Sequence, residues 1–246
     1  MLYLIKKRDF VHQSIKYSFN WNISHHKEKL DLTRSHRAEF KRLGTYFKHI
    51  YQDSIVPHYL FNARNIQRIS HFKIKGIKST FLTSFSKQLI RSDKIIRYDS
   101  DSKLPQFARK VYDIYEKNQM NKKPGHEPIL KNILIKDKDS VAIEIPIWRQ
   151  VNNQYITGHI DLIQIDTNED IVKVIDYKPE GKFLISLPQV ATYGLMLQKE
   201  LNISNLKCIS FNKKEAWEYN PNILITDIRD YLESKGVKMR SWEKFL

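Results

Sequence analysis

The chain has 246 residues and a hydrophobic content of 41%, enough for a packed core and too much for a globally disordered polymer. Its single cysteine, Cys208, excludes an intramolecular disulfide framework and any all-cysteine metal or iron–sulfur site, and points to a reducing compartment. The net charge of +15 is unevenly placed: residues 1–125 carry 26 Lys and Arg against 10 Asp and Glu, whereas residues 126–246 carry 16 against 17.

In chain order, the first clear pattern predicts a helix over 30–51, with Thr33 or Ser35 as N-cap and Phe40, Leu43 and Phe47 at helical spacing. Residues 74–96 form a basic tract with interspersed apolar residues. A second helix is expected over 105–120, with Pro105 near its start and Phe107, Val111, Ile114 and Tyr115 on one face. NKKPG then breaks the chain, and GHEPILKNILI forms a short helix or turn. Three strands follow over 140–149, 155–165 and 171–178, joined by the turns RQVNNQ and DTNED. After PEGK come an amphipathic helix over 187–201, a strand over 206–212 and a last helix over 225–235. Helix, three-strand meander, helix and strand in that order imply an α/β fold over 104–246, with a mixed sheet flanked by helices. Residues 1–103 read as a separate, basic, mostly helical region.

A polyanionic partner accounts for the basic first half, because phosphates attract Lys and Arg and release counterions; a solvated basic surface is the plain alternative. Phe and Tyr interleaved with cations suit single-strand binding, and the most basic tract, 73–97, is the candidate. The seven histidines of that half (His12, His25, His26, His36, His49, His58 and His71) show no zinc-binding spacing. The N-terminus places charge after five residues, and no stretch approaches the ~18 apolar residues of a membrane span. The expectation is a soluble cytoplasmic protein with no membrane partner.

The residues that suggest chemistry lie in the meander. Asp161 stands in GHIDLI, and Asp176 and Lys178 in IDYK, fifteen residues further on. Residues i and i+2 of a strand share a face, so Asp176 and Lys178 project side by side with Tyr177 opposite. An Asp and a Lys at the end of an apolar strand are costly unless paired or used. Two carboxylates brought together suit a hard divalent cation, and a neighbouring lysine suits orienting water or stabilising negative charge. A surface ion pair on an exposed strand is the competing reading.

The run Gly158-His159-Ile160-Asp161, then Asp176-Tyr177-Lys178, then Gln189-Val190-Ala191-Thr192-Tyr193 resembles the PD-(D/E)XK nucleases, most of all their RecB-like exonuclease branch. The resemblance covers residues 126–212, about a third of the chain. It implies a PD-(D/E)XK core, Mg²⁺ or Mn²⁺ held by Asp161 and Asp176, and a catalytic Lys178. It also implies that Gln189 and Tyr193, one helical turn apart, help position the site and DNA; core packing is the alternative for Tyr193. It calls for an upstream metal ligand too, for which His126 is the best candidate and Glu127 a weaker one. Glu144 lies on the strand before Gly158, where many relatives carry a Glu; it lines the site or faces solvent. His159, two residues from Asp161, shares its face and touches substrate or sits against the sheet. With one cysteine, the four-cysteine iron–sulfur cluster of some RecB-like members is excluded. No G-x-x-x-x-G-K-[ST] occurs, so a helicase or repair partner would be a separate protein. The expected activity is metal-dependent DNA hydrolysis in repair, recombination or defence. The alternatives are a silent nucleic-acid-binding module of the same fold and a nuclease for RNA or branched DNA.

Overall fold

A computed structural model describes residues 4–33 and 35–246; Met1–Tyr3, at the start of the stretch read for a leader, and Arg34, within the expected helix 30–51, lie outside the described residues. The elements run β1 (Ile5–His12), β2 (Ile15–Asn22), α1 (Ile23–Leu32), α2 (Arg37–Gln52), α3 (His58–Asn62), β3 (Gln67–Arg68), α4 (Ser79–Arg91), β4 (Ile95–Tyr98) and α5 (Lys103–Lys117). They continue with α6 (His126–Lys136), β5 (Ser140–Val151), β6 (Gln154–Asp166), β7 (Ile171–Tyr177), α7 (Phe183–Leu201), β8 (Leu206–Phe211), β9 (Ala216–Tyr219) and α8 (Asp227–Ser234).

Among the described residues the strands form one nine-stranded sheet in the order β1-β2-β5-β6-β7-β8-β9-β4, with β3 beside β6. Pairing is antiparallel except for β3 with β6 and β7 with β8, so the sheet is mixed, as expected. The meander β5–β6–β7 follows from its sequence. Its strands are rich in Ile and Val, and the β5–β6 turn places Asn152 and Asn153 at φ +47° and +61°, a left-handed pair that Asn tolerates. Apolar clusters cover both faces: Ile143, Leu162, Ile175 and Tyr177 pack with Leu130 and Ile133 of α6 and Val111 of α5. Val172, Val174 and Ile163 pack with Val190, Ala191 and Leu197 of α7 and with Phe40, Leu43 and Phe47 of α2.

Several expectations shift in detail. The helix expected over 30–51 is two helices, α1 ending at Leu32 and α2 starting at Arg37. Thr33 caps the end of α1, its hydroxyl donating to the Lys29 carbonyl, and the residue at the N-cap of α2 is His36. In α5 the buried face is Leu104, Pro105, Ala108 and Val111, and Ile114 is exposed. Helix α7 begins a turn before Leu187 and holds Pro188 inside it, at its sixth residue, where the missing amide leaves the Leu184 carbonyl without its helical donor. Residues 1–103 contribute, besides helices, β1 and β2 next to β5 and β4 at the opposite edge, so both expected segments share one sheet. No helix of the described residues is long and apolar enough to cross a membrane.

Candidate active site

Strand β6 changes partners along its length. Its end, Leu162–Asp166, pairs with β7, while Ile156 and Thr157 on the same edge pair with β3. Between them the edge opens, and Asp161 stands at the opening. Its Oδ2 accepts a hydrogen bond from the Tyr177 backbone N–H at 2.9 Å, replacing the ladder bond that β7 lacks beyond Ile175. The splayed strands bring Asp161 of β6 and Asp176 of β7 to the same place.

Asp176 is 1% exposed. Its Oδ2 lies 2.7 Å from Nζ of Lys178, and its Oδ1 accepts from Nε2 of Gln189 at 3.2 Å. Gln189 also accepts from Lys178 through Oε1 at 2.9 Å. One amide on α7 therefore orients both charged groups, each with the end of the amide that suits it. Burial pulls the Lys178 ammonium down, but attraction to Asp176 and Asp161 outweighs it and the pKa is raised.

A third carboxyl joins them. Glu144 stands on β5 between the pairs Ile143–Leu162 and Ile145–Ile160, opposite Asp161, at φ +53°. A left-handed Glu in a strand interior is strained backbone held by its surroundings. Burial, then repulsion from Asp161 and Asp176, pushes Glu144 up to about 8. Burial and Asp176 push Asp161 up to about 7, against the pull of His126, Lys178 and the Tyr177 amide. Glu144 is thus repelled by Asp161 and Asp176, while the Lys178 ammonium lies against Asp176.

His126 opens α6 beside this group. Its Nε2 lies 3.0 Å from the Tyr177 carbonyl and 3.8 Å from Oδ2 of Asp161. Donation to that carbonyl puts the proton on Nε2 and leaves Nδ1 as the nitrogen with a lone pair. Glu127 is bonded to Lys131 at 2.6 Å. Tyr193 is buried against Gly158, where a Cβ would lie 2.5 Å from the ring. Gly158 is therefore required by the close approach of the tyrosine. His159 stacks on Tyr17 at 3.7 Å and bonds His12 through Nε2 at 2.9 Å, in a chain that continues through His58 to Asp53. Its place is thus against the β1–β2 hairpin.

Asp161, Glu144, His126, His159, Gln189 and Tyr193 line one cleft of about 370 Å³, and Lys178 lines a second, of about 270 Å³, that also contains His126. Sequence reasoning missed Lys16, Tyr17, Arg68 and Ser70 on the first cleft wall. Nothing in NIQRIS marks Arg68 as different from any surface arginine. Of the basic tract 73–97, Lys73 reaches the clefts, whereas α4 and β4 lie at the far edge of the sheet.

The donor set is all hard oxygen plus one imidazole. Among the described residues there is no group of three or more His, Cys, Asp and Glu that could hold a metal ion. Mg²⁺ needs no such group, since it is held by one or two carboxylates and completed by water and phosphate. Asp161 and Asp176 are the oxygen donors that would hold such a cation, and its charge would relieve the repulsion that Asp161 and Asp176 exert on Glu144.

No protein-family model matches the chain, and no curated protein does. Among solved structures, one described as the crystal structure of SSO0001 aligns with 90% of this chain and 89% of its own, at 14% identity and a TM-score of 0.31. A likeness that weak carries no argument.

Proposed function

We propose that this protein is a divalent-metal-dependent nuclease that hydrolyses DNA phosphodiester bonds, and that Asp161, Asp176 and Lys178 form its centre. The observation that carries the reading is the convergence of Asp161 and Asp176 at the splayed ends of β6 and β7, with the Lys178 ammonium 2.7 Å from Asp176 and locked by Gln189. A surface ion pair would need none of this burial or bracing. The order Gly158…Asp161, Asp176…Lys178, Gln189…Tyr193, resembling the PD-(D/E)XK pattern, supports it further.

Asp161 and Asp176 would hold Mg²⁺ or Mn²⁺, with the His126 imidazole beside them, its Nε2 3.8 Å from Oδ2 of Asp161. A cation bound there would supply positive charge to polarise the scissile phosphate and acidify water. Lys178, raised in pKa and therefore cationic at neutral pH, orients the attacking water and stabilises the charge that develops on phosphorus oxygens. Gln189 and Tyr193 are positioning residues: the first fixes the Asp176–Lys178 geometry, and the second packs on Gly158 and holds α7 against β6. Glu144 adds negative charge beside Asp161 and tightens the demand for a cation.

Labelled single- and double-stranded DNA incubated with Mg²⁺, with Mn²⁺ and with EDTA tests the reading. Cleavage that EDTA abolishes is expected. DNA binding without cleavage under every condition would replace it with a binding module of the same architecture.

A further inference from the structure

The segment Arg68–Lys73 runs along both clefts that meet at the carboxylates. Arg68 and Ser70 line the first, with Glu144 and Asp161; Lys73 lines the second, with Lys178. His126 borders both. The segment is fixed in place. Gln67 and Arg68 pair with Ile156 and Thr157, just before Gly158, and the Ile74 amide donates to the Ile185 carbonyl at 2.9 Å. Between these anchors Ile69 and Phe72 are fully buried, with Phe72 against Phe245 and Trp242.

The cations at its two ends are unneutralised. Arg68 donates to Gln13 Oε1 at 3.0 Å and to the Tyr17 hydroxyl at 2.9 Å, bonds that aim the guanidinium without spending its charge. Among the described residues neither Arg68 nor Lys73 takes part in an ion pair, although Glu127, Glu144 and Asp161 lie on the first cleft and Glu180 on the second. A cation held in position beside carboxylates it does not pair with is placed for an anion that arrives later, and a guanidinium braced on two neutral acceptors suits a phosphate.

We propose that Arg68–Lys73 is a basic wall that grips the sugar–phosphate backbone of one DNA strand on both sides of the carboxylate centre. The strand then continues in both directions, and the protein cuts internally. This rests on the nuclease reading and specifies its substrate: a strand with no need of a free end. In the cut one water adds across the phosphodiester. A new P–O bond forms, one bridging P–O bond breaks, and the leaving oxygen takes up a proton, giving a phosphomonoester and a hydroxyl end.

The test compares a closed circle of single-stranded DNA with the linear strand of the same sequence, in Mg²⁺ or Mn²⁺. The circle is expected to open to unit-length linear DNA as fast as the linear strand is attacked. In EDTA, where nothing is cut, Arg68→Gln and Lys73→Gln are each expected to lower the salt slope of circle binding by about 0.7, one phosphate contact apiece. Arg68→Lys, which keeps the charge, retains the slope, and wild-type thermal unfolding shows that each variant is folded. An intact circle beside a degraded linear strand overturns the inference and leaves the nuclease reading standing. A slope lost in one glutamine variant only, or in neither, contradicts the two-sided grip. Failure to cut either substrate removes the nuclease reading and this inference with it.

Discussion

Glu144 stands across the β5–β6 ladder from Asp161, in a left-handed backbone conformation that a strand seldom contains. Burial and repulsion from Asp176 raise the cost of ionising both groups, and Asp161 adds to it for Glu144, so the metal-free centre has a definite pH signature. The pKa of Asp161 rises from 3.8 to about 7 on folding and that of Glu144 from 4.5 to about 8. Folded values above the unfolded ones mean that the stability these groups contribute is complete at acid pH and is lost as pH climbs through 7 and 8. In EDTA the thermal midpoint is expected to fall from pH 6.5 to pH 8, Mg²⁺ is expected to restore it, and Glu144→Gln to flatten the fall. A midpoint that holds level from pH 6.5 to 8 in EDTA would contradict the crowding.

Gln189 separates positioning from binding. Its amide touches both Asp176 and Lys178. Gln189→Ala is expected to lower kcat by about 10- to 100-fold, in the range of groups that orient a metal ligand, and Gln189→Glu to depress it as well by repelling Asp176. Steady-state cleavage with titrated Mn²⁺ reads this directly; wild-type kcat in Gln189→Ala would show the bridge to be incidental.

Gly158→Ala places a methyl 2.5 Å from Cε1 of the buried Tyr193 ring. Ring or strand must shift to admit the methyl, so the substitution is expected to cost about 1–3 kcal/mol in denaturant unfolding. Tyr193→Leu, made in the Gly158→Ala protein, is expected to recover part of that loss. Equal stability of Gly158→Ala and wild type would mean that the close approach is not constrained.

His26 makes the fold acid-sensitive for a different reason. Its Nδ1 accepts from the Trp21 indole N–H at 3.1 Å, and its Nε2 donates to the Phe40 carbonyl at 2.9 Å. A second ring proton would face the indole donor. Burial depresses the group from 6.5 to about 4, only partly offset by the Phe40 carbonyl. A depressed folded value gives stability that is present above pH 6.5 and lost as pH falls through 4, here about 3 kcal/mol. His12 and His159 are lowered in the same sense by burial and add to the loss. Chemical unfolding between pH 6.5 and 4 is expected to be less pH-dependent in His26→Gln by about that amount; an unchanged slope would place the acid sensitivity elsewhere.

The second half of the chain was legible because local and tertiary demands agree there. The Ile- and Val-rich runs of β5, β6 and β7 can bury both faces, the Asn152–Asn153 turn carries its own chemistry, and Asp176-Tyr177-Lys178 alternates faces by strand period alone. The first half was not legible for equally local reasons. The β1–β2 hairpin turns on Gln13 and Ser14, both at positive φ, where the sequence offers neither Gly nor Asn as a signal. Strands β3 and β4, two and four residues long, exist only through their partners β6 and β9. Four of the seven histidines proved to be fold-holding groups, His12 and His58 in the chain to Asp53, His25 on the Ser140 carbonyl and His26 on Trp21, a role their spacing does not announce. Glu144 was noticed as a residue but not as a strained one, because backbone strain leaves no mark in composition.

Cleavage of labelled DNA by wild type, Asp176→Ala and Lys178→Ala, side by side in Mg²⁺ and Mn²⁺, with folding of each variant checked by thermal unfolding, decides whether these residues form the centre. Metal-dependent cutting by the wild type is expected, with a loss of at least about 100-fold in each folded variant, the scale of removing one group that stabilises developing charge. Cutting that survives in both folded variants would contradict the assignment of the centre to Asp176 and Lys178.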